Sequence, residues 1–164
     1  MLINEKKSSI KEILKYLADH KYDTEWSTLT THFAVDYINR FKDKYNNCVK
    51  GLLPKEIFFS ILLPFHGHME DFATGILLFP DNTSVKKALN YYKNPNPCYS
   101  KECLTHIVSL KDKIQNDGFT SEVIIELVDG KLKHINGLHR MIALGILLEE
   151  DNKYTSIPVY LLIR

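Results

Sequence analysis

The stretch "INGLHRMIAL", Ile135 to Leu144, sets a glycine, a histidine and an arginine side by side where a strand runs into an apolar helix. A helix opening at that point leaves backbone N–H groups unpaired and carries the positive end of its dipole, so phosphate is the natural guest. Gly137 removes the side chain that would obstruct close approach, and Asn136 can cap the helix or fix a ligand. Around Leu138, His139 and Arg140 supply donors within the first turn. The same residues admit a structural reading: a simple turn, a satisfied half-buried histidine, and an arginine paired with a surface acid.

A second polar cluster, "HGHMED", holds His66, His68, Glu70 and Asp71. On a strand His66 and His68 share one face and, with Asp71, can ligate a transition metal. They can equally contact substrate or phosphate beside a nucleotide, or lie together in a polar loop. The metal is therefore left open. Tyr91 and Tyr92 can stack on a base or simply pack.

The elements that must position these residues follow from periodicity. Ser9 and Glu12 form a capping-box pattern ahead of Ile10, Ile13, Leu14 and Leu17, which share a helical face ending near Asp19. Phe33, Tyr37, Phe41 and Tyr45 step by four along a second amphipathic helix, and their stripe is expected in the core. "KEIFFSILLPF" reads as a buried strand, and "DNTSVKKALNYYKN" as a helix starting near Thr83 or Ser84. After the "NPNP" break, Ser100 can cap a helix closed by Gly118. "SEVIIELV" and "KLKHI" are strands turned at Asp129-Gly130, and "SIPVYLLI" is a last strand in the sheet interior.

With 164 residues, 45% apolar and 25% charged, the chain suits one folded domain. A net charge of +1 supplies no global field to hold nucleic acid or an anionic membrane. Cys48, Cys98 and Cys103 form no CxxC pair, which argues against disulfide and zinc frameworks. The opening stretch "MLINEKKSSIKEILKYL" reads as neither secretory signal nor membrane anchor, so the expected place is the cytoplasm.

The run "NPNPCYSKECLTHIVSLKDKIQNDGF" and then "EVIIELVDGKLKHINGLHRMIALGIL" resembles the ParB/sulfiredoxin superfamily over residues 94–164, most specifically at Gly137, His139, Arg140 and Ala143. Sulfiredoxins carry a reactive cysteine where this chain has Leu138, and ParB partitioning proteins carry a Gly-Glu-Arg-Arg version with a helix-turn-helix downstream. The pattern is most similar to the free-serine kinases of that superfamily, whose Asp-Gly-His-His-Arg motif differs here at Asn136 and Leu138.

The resemblance implies an α/β fold, a small mixed sheet surrounded by helices with a helical N-terminal extension. It further implies a kinase using ATP or ADP with Mg²⁺ on a small hydroxylated metabolite such as an amino acid, polyol or sugar. Nucleotide phosphates would lie on Asn136, Gly137, Leu138, His139 and Arg140; His66, His68 and Asp71 lie outside the resembling stretch and are read from their own clustering as substrate contacts. Glu70 or Glu102, with His139, would handle the hydroxyl proton. A non-catalytic nucleotide-binding module and a ParB-like nucleic-acid-binding or nuclease domain are the alternatives, and a homo-oligomer is compatible with either.

Overall fold

The computed structural model describes residues 2–19, 25–64, 80–93, 101–151 and 156–164. Among the described residues seven strands form one mixed sheet: β1 (Ile3–Lys7), β2 (Asn47–Leu53), β3 (Leu62–Leu63), β4 (Thr83–Ser84), β5 (Val123–Val128), β6 (Lys131–Asn136) and β7 (Ile157–Ile163). Their order across the sheet is β1-β2-β7-β5-β6-β3-β4. β7 runs parallel to β5 and β3 parallel to β6, and the other neighbours are antiparallel.

Side chains alternate along each strand, so the sheet buries two different faces. Val123, Ile125, Val159 and Leu161 point to a core shared with α4 (Val85–Lys93), α5 (Lys101–Asp117) and α6 (Leu138–Asp151). Ile124, Tyr160 and Leu162 point the other way, onto α1 (Ile10–Asp19) and α2 (Glu25–Phe41). Helices therefore cover both faces of a mixed α/β sheet. Among the described residues no helix is long and apolar enough to cross a membrane.

Local chemistry explains most element boundaries. Ser9 Oγ accepts the Glu12 amide at 3.2 Å, as a helix cap should, while the Glu12 carboxylate turns outward to the hydroxyls of Ser8 (2.8 Å) and Tyr160 (3.2 Å). Ser84 caps α4 through the Lys87 amide, and the Gly118 amide closes α5 on the Ile114 carbonyl at 2.9 Å. Asp129 and Gly130, at φ 50° and 70°, form the tight turn of the β5–β6 hairpin.

Two expectations need correction. Over its described residues "KEIFFSILLPF" is not mostly strand: Pro54 leads into a single helical turn, α3 (Lys55–Phe58), and of these residues only Leu62–Leu63 pair in the sheet. The run is apolar because Phe58, Ile61 and Leu63 are all buried, and burial alone does not separate a short helix from a strand. The aromatic stripe of α2 is also not wholly core. Ala34 and Ile38 face the sheet, whereas Phe33 is 63% exposed. The helix stops at Phe41 in a 3₁₀ turn, Lys42–Lys44, so Tyr45 reaches inward from outside the helix.

Tyr37 and Tyr45 instead converge on Glu126, a carboxylate only 1% exposed. Their hydroxyls donate at 2.7 and 3.3 Å, and Arg164 Nη2 lies 3.0 Å from the same carboxylate. The Arg164 guanidinium also stands 4.5 Å from the Phe41 ring centroid. Burial first, and then Glu126, push the Tyr37 phenol up to about 12; burial pushes Tyr45 up likewise, and it pushes the Cys48 thiol up to about 11.

These shifts fix the sign of an alkaline effect. Each group stays protonated in the fold at a pH where the unfolded chain has released its proton, so the stabilisation is complete below about pH 9. It is lost as pH rises through 11 and 12. Urea midpoints measured from pH 8 to 11.5 are expected to fall steadily, and Tyr37→Phe is expected to flatten the upper part of that decline.

Candidate functional site

The β5–β6 hairpin delivers Asn136 as the last residue of its second strand, and Gly137 then turns the chain into α6. The first helical bond, Met141 amide to Gly137 carbonyl at 3.0 Å, makes Gly137 the residue at which the helix opens. Its φ of +101° lies in a region that side chains disfavour. A Cβ added there would come 3.0 Å from both Arg140 Nη2 and Val123 Cγ2. Glycine is thus needed twice, for the turn and for the space the guanidinium occupies.

Arg140 is half-buried, and it folds back over this turn instead of extending into solvent. Its Nη1 donates to Ser121 Oγ and its Nη2 to Asn136 Oδ1 at 3.3 Å, with the guanidinium 6.0 Å from the Phe119 ring centroid. Both acceptors are neutral. Among the described residues no carboxylate pairs with Arg140, so its charge is oriented but not balanced within them.

The loop that carries Ser121 is anchored from the opposite side of the sheet. The Glu122 carbonyl accepts the Tyr16 hydroxyl at 3.1 Å, and its carboxylate meets Lys50 Nζ at 2.6 Å. Asn136, 5% exposed, spends its side-chain oxygen on Arg140, which makes it an orienting residue. Leu138 packs against the core.

His139 follows on the same turn and meets a residue the sequence reading did not single out. Its ring stands edge-on to His106 of α5, with centroids 5.4 Å apart and planes at 86°. Burial holds the His106 imidazole below its usual range and so favours its neutral form at pH 7. The available signal was spacing: in a helical "ECLTHIV", position 106 lies one turn beyond position 102. α5 packs along α6 and is tied to it further along by Lys111 Nζ and Glu150 at 2.9 Å.

The structure thus brings Asn136, Gly137, His139 and Arg140 together, with Leu138 beneath them. Position 102 belongs to the helix that supplies His106, and its side chain lies outside the described residues. His66, His68, Glu70 and Asp71 lie outside the described residues. Among the described residues no three His, Cys, Asp or Glu side chains converge to hold a metal. Tyr92 packs on the core and Tyr91 is exposed.

No family model, no curated protein and no solved structure matches this chain.

Gly137→Ala tests the geometry without removing a charged group. Strain at positive φ and displacement of the guanidinium are expected to cost roughly 1–3 kcal/mol of stability. Urea denaturation checks that value.

Proposed function

We propose that this protein is a nucleotide-dependent phosphotransferase with a ParB/sulfiredoxin-like core, acting in the cytoplasm on a small hydroxylated metabolite. The observation that carries the reading is the Arg140 guanidinium, held over the N-terminus of α6 by two neutral oxygens. A cation fixed in place beside helix amides, with no carboxylate partner among the described residues, suits a phosphate group and costs little reorganisation when one arrives.

The residues present fit nucleotide phosphates. The first-turn amides of α6 and Arg140 would hold the terminal phosphate of ATP or ADP, and His139 would donate from the same turn. Mg²⁺ would arrive with the nucleotide and supply positive charge against the transferring group. Of the two acids expected from sequence, position 102 is favoured as the base. In the sequence of α5 it precedes His106 by one helical turn, and His106 abuts His139.

Turnover tests this directly. Incubation with ATP or ADP, Mg²⁺ and a panel of amino acids, polyols and sugars is expected to give a phosphorylated product. Glu102→Gln is expected to keep nucleotide affinity within a few-fold and to lose product formation by 100-fold or more. Failure of the whole panel would overturn the enzymatic reading.

One observation favours a second reading. Asn136 stands where the resembling kinases carry an aspartate, and its side chain is engaged with Arg140. A module that senses a nucleotide without reacting needs only that neutral orienting group. Tight ATP binding with no product from any acceptor would select it.

A further inference from the structure

On the Ser121 side of Arg140 the surface opens into a second feature, a cleft of roughly 90 Å³ between the end of α5 and the loop that follows it. Leu110, Ile114 and Phe119 line it with apolar surface, Lys113 and Arg140 bring two cations to it, and Ser121 brings a hydroxyl. We propose that this cleft binds a short aliphatic carboxylate, and that the carboxylate shares Arg140 with the phosphate site so that each ligand weakens the other.

The chemistry of the lining selects the ligand. Two cations and a hydroxyl match the donors a carboxylate requires, and Arg140 presents Nη1 to this side while Nη2 faces Asn136. Neither cation has a carboxylate partner among the described residues. The apolar part of the lining would leave a phosphate oxygen without a hydrogen bond, whereas it accommodates a methylene or methyl group. The volume admits only a few heavy atoms, which suits an acid of two to four carbons.

The coupling follows from one guanidinium serving two anions. Whichever anion binds first neutralises Arg140, and the second then meets repulsion with less attraction to offset it. Linkage makes the effect equal in both directions. The coupling rests on the phosphate reading of Arg140, whereas carboxylate binding does not.

Calorimetry on the full chain with sodium propionate, against sodium chloride at matched ionic strength, provides the test. Saturable propionate binding is expected with a dissociation constant on the order of millimolar. Lys113 is exposed, so Lys113→Ala is expected to fold normally by thermal melting. It should lose propionate binding, keep ATP affinity within about twofold because it lies outside the phosphate site, and recover propionate binding as Lys113→Arg. Saturating propionate is expected to weaken ATP several-fold, and ATP to weaken propionate by the same factor.

Propionate binding no better than chloride, or unchanged in Lys113→Ala, overturns the site. Propionate and ATP binding independently overturns the coupling. Lys113-dependent propionate binding in a protein that ignores ATP supports the cleft while removing both the coupling and the phosphotransferase reading.

Discussion

Arg140→Ala is expected to weaken ATP binding by roughly 100-fold or more and to bring turnover below detection. The guanidinium is the one described cation poised over the opening of α6 with only neutral partners, so its loss removes the strongest attraction the site offers a phosphate. Calorimetry with ATP and with inorganic pyrophosphate reads the effect. Truncation also leaves Asn136, 5% exposed, without its guanidinium partner, at a cost of about 1 kcal/mol in stability. That is small enough for the variant to remain folded and for the binding loss to be attributed to the site. Arg140→Lys is the informative companion. A lysine restores the charge but cannot reach Ser121 and Asn136 together with a planar fork, so it is expected to recover only part of the affinity.

The second large effect concerns stability. Glu126→Ala is expected to destabilise the protein by roughly 3–5 kcal/mol, because it strips a buried carboxylate from Arg164 and from two tyrosine hydroxyls at once. Arg164, at 17% side-chain exposure, would then hold a charge with little water to solvate it. Urea denaturation gives the value directly. Replacing the whole group, with Glu126→Leu, Arg164→Met, Tyr37→Phe and Tyr45→Phe combined, is expected to recover much of the loss, since no buried polar atom is then left unmatched. A combined variant as unstable as Glu126→Ala would show that packing, not the unpaired charge, sets the penalty.

The sequence was readable where local chemistry decides structure. Ser9 with Glu12, Gly118, and Asp129-Gly130 each carry their function in the residue type, and the helix or turn expected at each is present. The final strand was also legible, since "SIPVYLLI" is apolar on both sides and β7 is covered on both faces. β1 was not, because all five of its residues are exposed and its place depends on backbone pairing with β2. β2 was missed for a related reason: Lys50 and Gly51 break its apolar pattern, although Lys50 Nζ is bonded both to the Glu122 carboxylate and to the Tyr160 hydroxyl.

At the candidate site, "NGLHR" announced the junction, but the direction of Arg140 could not be read from it. That direction depends on Ser121, nineteen residues earlier, held by a loop anchored to Tyr16 and Lys50. His106 was hidden in the same way, since its partner His139 belongs to another helix. Nothing in "SEVIIELV" marks Glu126 as buried, and only the arrival of α2 and Arg164 makes burying it tolerable.

A crystal structure of the protein with ADP and Mg²⁺ addresses the central claim most directly. The account predicts a phosphate group within about 2.7–3.2 Å of the amides that open α6 and of the Arg140 guanidinium. Nucleotide density elsewhere on the surface, with Arg140 still bound only to Ser121 and Asn136, would contradict it.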